Sequence, residues 1–254
     1  MAGHDTGVGA ATKTVAIVGD VILAKPHGAS VTRDLARAKG NIMAGQSKSD
    51  GSIENPGVPA GKKVRVIACG MIGREVLAVN RQLGHDHVDL KCIDANFHHY
   101  PDRIAPAVDR AIRKAREEGF EHIFIGYADC GTGGELDKVC AAHGVERIEG
   151  PHCFSFYVGN QAFEAAGDEM MTTFFITDFL ARHFEAFLIR PLGLDRFPEL
   201  RDTYFGHYDR ALYLAQTDDP ELEHKARVAA ERLGLRYERQ FTGYGDLEKA
   251  LSPL

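Results

Sequence analysis

Cysteine and histidine recur where the apolar segments of this chain end. Cys69 closes VRVIAC, His98 and His99 follow DLKCIDANF, Cys130 follows HIFIGYAD, and the pair His152-Cys153 follows VERIEGP. Thiolate and imidazole are the groups that hold a soft metal ion, or that act as nucleophile and base. Zinc takes four such ligands, or three when one position stays open for water or substrate. The ligand set read here is Cys69, Cys130 and Cys153, with His152 or His98 as nitrogen donor. The doubled histidine leaves His98 and His99 both open. His152 and Cys153 can face one centre only if the backbone turns between them, and Gly150-Pro151 makes that turn plausible. Neither CxxC nor HExxH occurs, so placement at segment ends carries this reading, not spacing.

A second chemistry needs no metal. A cysteine at the start of a helix gains thiolate character from the helix dipole. Cys130 is then the nucleophile, with His98, His99 or His152 as its acid-base partner. Tyr127, at the end of its segment, can donate a proton in the same crevice, or simply fill core. Arg74 can hold an anion, or pair with a surface acid. The turn DCGTGGEL offers the N–H groups of Gly131, Gly133 and Gly134 as an anion cradle. It lacks both GxGxxG and the P-loop lysine. Cys92, inside a strand, and Cys140, inside a helix, read as packing. Asp178 lies in a largely apolar segment and needs a partner, which His183 or Arg182 can supply.

The elements that must position these groups alternate from Val64 onward. Strands are expected at 64–69, 88–94, 122–127 and 145–150, separated by helices at 71–83, 101–119 and 133–144. Helical spacing then predicts helices over 155–167 and 172–189, the second placing Phe174, Phe175, Phe179 and Phe187 in the core. A strand at 210–219, a helix at 220–233, a strand at 235–241 and a helix near 245–251 close the chain. Strands separated by amphipathic helices imply an α/β fold with a parallel sheet, doubly wound and Rossmann-like: a three-layer sandwich with an N-terminal extension. In such a sheet ligands bind at the carboxyl ends of the strands. Residues 1–62 read as an arm, with a strand at 15–24 and a Gly/Ser/Pro-rich mobile linker, and residues 63–254 as the α/β domain.

Composition narrows the classes. The chain has 254 residues, 44% hydrophobic and 26% charged, as a globular protein does. Its net charge of -6 supplies no basic excess for nucleic-acid phosphates. No apolar run reaches the roughly 20 residues that cross a bilayer. The opening MAGHDTGVGAATK lacks a signal-peptide layout, so a cytoplasmic location is expected. Five cysteines are an odd number, and the cytosol would keep them reduced.

Taken in order, IACGMIGREV, FHHYPDRI, IGYADCGTGG, GPHCFSFYVGN, TDFLARHF and ALYLAQTDD resemble the proteins of domain of unknown function 1638, over roughly residues 64–251. The positions that carry the resemblance are Cys69, His98 or His99, Cys130, and His152 with Cys153. The family brings no established activity. Its members look like neighbours of corrinoid-dependent methyltransferase systems acting on methylamines and betaines, which implies one-carbon metabolism by association. The expectation is therefore a metal-thiolate, methyltransferase-type enzyme with a zinc site and a corrinoid partner. The alternatives are a non-catalytic accessory protein that binds a cofactor, a metal or a methyltransferase component, and a metal-free thiol enzyme using Cys130.

Overall fold

The structure, a computed structural model, describes residues 62–254. The strand expected at 15–24 and the linker after it lie outside the described residues. Strand β1 (Val64–Cys69) is buried at every position. That burial on both faces is why VRVIAC shows no polar alternation apart from Arg65. It pairs in parallel with β2 (Val88–Ile93) on one side and β3 (His122–Gly126) on the other. β3 pairs in turn with β4 (Glu146–Arg147), giving the order β2-β1-β3-β4. Helices α1 (Gly73–Leu83), α2 (Ile104–Glu117) and α3 (Glu135–His143) make the crossovers. α2 turns Ile104, Val108, Ile112 and Ala115 to the core at helical spacing and leaves its charged residues outside.

Beyond β4 the structure departs from the sequence reading. The segment 155–167 is two short helices, α4 (Ser155–Val158) and α5 (Asn160–Ala166), broken at Gly159, whose φ is 95°. The helix expected over 172–189 begins as a strand, β5 (Thr173–Thr177). Only then does α6 (Asp178–Phe184) start, with Thr177 capping it, followed by a π-helical turn over Glu185–Ile189. TFFIT is buried on both faces, and a fully buried strand shows no alternation to separate it from a buried helix. After α7 (Leu200–Phe205), β5 joins β6 (Arg210–Ala215) and β7 (Arg236–Phe241), with α8 (Pro220–Arg232) between them and α9 (Asp246–Leu251) last. The three form a separate parallel sheet, β5-β6-β7. The single expected sheet is thus two, because β4 stops after two residues and no described strand links it to β5.

The two sheets share a seam. Along β5 and β6 the side chains alternate: Phe175, Leu212 and Leu214 join the first core, while Phe174, Ile176 and Tyr213 join the second. Phe154, just after the His152-Cys153 pair, stacks on Phe175 with ring centroids 4.4 Å apart. Burying one such phenylalanine contributes about 2 kcal/mol. Among the described residues no helix is long and apolar enough to cross a membrane.

Candidate functional site

Strand order explains why distant residues meet. The chain leaves β1 for β2 on one side and then crosses to β3 on the other, so the connections diverge and open a crevice at the carboxyl ends of β1 and β3. Cys69 is the last residue of β1, and Tyr127 and Cys130 follow β3. Past β3, the Asp129 N–H donates to the Gly150 carbonyl (3.0 Å) and the Cys130 N–H to that of Pro151 (2.8 Å). These two bonds carry the strand pairing beyond β4 and deliver Cys153 into the crevice. There the Cys130 and Cys153 sulfurs lie 3.2 Å apart. Cys69 lies within interaction range of Cys153 and of the Tyr127 hydroxyl. All three thiols are buried and free.

Cys130 is held in the left-handed region, at φ 49°, the one positive φ outside glycine among the described residues. That conformation costs on the order of 1 kcal/mol and needs support. Support comes from Asp129, whose carboxylate accepts from the Thr132 hydroxyl (2.6 Å) and from the N–H groups of Gly134 (3.0 Å) and Gly133 (3.2 Å). Burial pushes the Asp129 carboxyl up, but these donors outweigh it and hold the group below its ordinary value. The anion cradle expected at Gly133 and Gly134 is therefore filled by the chain's own carboxylate. Gly131 makes the turn instead, at φ 79°, where a Cβ would come within 3.3 Å of Pro101.

The electrostatics keep Cys69, Cys153 and Tyr127 protonated at neutral pH. Cys153 first, then burial, pushes the Cys69 thiol well above its ordinary value. Cys130 does the same to Cys153. Burial, then Cys69 and Cys153, drives the Tyr127 hydroxyl up, and that buried hydroxyl faces the Cys69 sulfur. Against this trend, the N–H of Met71 points at the Cys69 sulfur and that of Ala128 at the Cys153 sulfur. The helix-start argument for a Cys130 thiolate fails on geometry, because α3 begins only at Glu135.

The imidazoles go elsewhere. His152 is buried and stacks on Phe154, centroids 5.2 Å apart, with Phe163 edge-on at 6.3 Å. His99 is buried against Phe187 at 4.8 Å. Burial, then His98, lowers His99 to about 4, so its ring is neutral at pH 7. His98 lies 6.2 Å from the same phenylalanine. Of the five expected ligands the structure gathers the three sulfurs and turns His98 and His152 toward aromatic rings. Among the described residues no group of three or more His, Cys, Asp and Glu side chains is arranged to hold a metal ion. Two zinc–sulfur bonds at the tetrahedral angle set their sulfurs about 3.8 Å apart, whereas the Cys130 and Cys153 sulfurs are in a closer, hydrogen-bonding contact.

Arg74 lines a cleft of about 380 Å³ with Glu75, Arg81, Asp178, Arg182 and Tyr244. Asp178 takes neither His183 nor the Arg182 side chain as its carboxylate partner. Its oxygens accept from the Tyr213 hydroxyl (2.7 Å), the Gln216 N–H (3.1 Å), and the N–H (3.0 Å) and hydroxyl (2.5 Å) of Thr217. Sequence reasoning missed Glu75. Its signal was present: an acid on the same face of α1 as the buried Ile72, Val76 and Val79. Cys140 is buried as expected for packing, whereas Cys92 is exposed on the edge strand β2.

Residues 92–251 match the family described as a protein of unknown function, DUF1638. The chain belongs to this family. No curated protein and no solved structure matches it. The family match takes in Cys130, Cys153 and the three histidines, and begins after β1, so Cys69, Arg74 and Glu75 lie before it.

Proposed function

We propose that this DUF1638 protein binds a thiophilic cation, zinc foremost, through Cys69, Cys130 and Cys153, and serves cytoplasmic one-carbon chemistry in which a methyl group passes to or from a thiol or a corrinoid partner. The observation that supports it is the meeting of three free, buried thiols at one strand-end crevice. The donor set is soft, as such cations require. The Met71 and Ala128 N–H groups face sulfur and favour its anionic form. To hold the cation, Cys69, Cys130 and Cys153 would have to lose their thiol protons. A bound cation would supply Lewis acidity that could keep a thiol substrate ionised. The chain's own residues exclude water from the crevice, and Tyr127 offers its hydroxyl to whatever occupies it.

Metal analysis of protein purified under reducing conditions tests this. About one equivalent of zinc is expected, lost in Cys69→Ser, Cys130→Ser and Cys153→Ser, with proton release on reloading. Undiminished metal in Cys130→Ser, or no binding at micromolar zinc, overturns the site. Absence of any association with a corrinoid protein at micromolar concentration overturns the proposed partner.

The 3.2 Å sulfur contact favours one further reading, a Cys130–Cys153 dithiol that closes to about 2.05 Å on oxidation. Both thiols would then pass two electrons and two protons to an external disulfide. Mass loss of about 2 Da under oxidised glutathione, blocked by Cys153→Ser, distinguishes this from metal binding.

A further inference from the structure

We infer that the cleft between the first turns of α1 and α6 binds a small carboxylate anion on Arg74, Arg81 and Arg182, and that Glu75 exchanges a proton with it. This inference does not rest on the sulfur site holding a metal.

The cleft lies where β1 and β5 end, since α1 follows the first and α6 the second. Its volume of about 380 Å³ suits a small ligand. Glu75 is only 6% exposed, and its Oε2 has no hydrogen-bond partner. A buried carboxylate oxygen left without a donor is costly, and such an orphan calls for a partner that the chain's own residues do not supply. The three arginines supply the opposite excess. Elsewhere in the chain arginines pair with acids, as Arg65, Arg147, Arg210 and Arg239 do. Among the described residues no carboxylate forms an ion pair with Arg74, Arg81 or Arg182. Arg182 makes only a long bond, 3.4 Å, to the Asp178 carbonyl. Asp178 also lines the cleft, but its carboxylate is engaged by Tyr213, Gln216 and Thr217. Unpaired guanidinium forks match a carboxylate in two-pronged fashion.

Proton exchange follows from what faces Glu75. Asp178 and Arg182 approach from α6, Arg74 lies beside it on α1, Tyr157 comes from α4, and Tyr244 and Arg81 close the cleft. Burial raises the Glu75 carboxyl to about 7, with Asp178 adding to the rise and Arg182 and Arg74 opposing it. The group is half-protonated at neutral pH, as a proton carrier should be. A second anion brought alongside makes it take up a proton. The buried Tyr157 hydroxyl lies within electrostatic range of both Glu75 and Cys153. Burial raises it, and Glu75 and Cys153 add to the rise.

Calorimetric titration of the reduced, metal-stripped full chain with succinate at pH 7 tests this, in Tris and imidazole buffers of different ionisation enthalpy. Saturable binding below 10 mM is expected, weakened roughly tenfold or more in Arg74→Gln and in Arg182→Gln. Heats should differ between the buffers and reveal proton uptake, which vanishes in Glu75→Gln; thermal unfolding checks that this variant is folded. No binding of succinate or acetate at 10 mM overturns the inference. Binding of inorganic phosphate alone overturns the carboxylate class. Affinity unchanged in Arg74→Gln/Arg182→Gln overturns the location, and equal heats in both buffers overturn the role of Glu75.

Discussion

Asp178 and Glu75 are two buried carboxyl groups on the walls of one cleft, and they are treated in opposite ways. Asp178, 1% exposed, receives hydrogen bonds from Tyr213, Gln216 and Thr217 that tie the start of α6 to the end of β6. Glu75, 6% exposed, keeps an oxygen with no donor at all. The same contrast holds for two buried tyrosines. Tyr213 donates to Asp178 at 2.7 Å, whereas Tyr127 among the thiols faces only the weakly accepting Cys69 sulfur. Satisfied buried polar groups fasten the second sheet together. At the carboxyl end of the first sheet Glu75 lacks such a partner, and a ligand there would recover that cost.

The largest expected effect of that difference is at Asp178. Asp178→Ala leaves several donors without their acceptor and should lower stability by about 3 kcal/mol in urea unfolding. A loss under about 1 kcal/mol would break the contrast.

Next comes the pH dependence of Glu75. Its folded value of about 7 lies above the ordinary 4.5, so the folded state holds the extra proton in that interval. Its contribution is complete below pH 4.5 and lost as pH rises to 7, by up to about 3 kcal/mol. His99 works in the other direction. Its folded value of about 4 lies below the ordinary 6.5, so its contribution grows as pH rises between them. The two oppose each other over the shared interval. Glu75→Gln should therefore show a stability that climbs more steeply with pH from 4.5 to 6.5 than the natural chain does. An unchanged profile would mean that Glu75 is not held protonated.

The smallest effects are the sharpest comparison. Tyr213→Phe removes a bond to a carboxylate and should cost about 2 kcal/mol, while Tyr127→Phe removes a hydroxyl that faces only thiol sulfur and should stay within about 0.5 kcal/mol of the natural chain. Equal losses in the two would place Tyr127 among the structural groups.

Much of the frame was legible. Alternation of β and α from Val64 to Gly144 could be read because each strand is short and apolar and each helix has a polar face and an end signal. The segment 172–189 misled because Phe174, Phe175 and Ile176 are apolar on both faces of a strand, and the same residues fit a helical stripe. Glu75 escaped notice because an acid in a first helical turn is ordinarily a favourable surface group. The groups that share its cleft, Asp178, Arg182 and Tyr244, lie far along the chain. Asp178 was recognised as needing partners, but they come from the β6 end, more than thirty residues away.

Residue type and the period of the pattern by themselves determined that thiols would stand at strand ends, since both are local properties of the chain. Only the tertiary structure decided which of them meet. The 2-1-3-4 strand order and the bonds from Asp129 and Cys130 to Gly150 and Pro151 bring three sulfurs together and leave the histidines on phenylalanine rings. Convergence and burial belong to pairs of distant segments, and no single stretch of sequence encodes them.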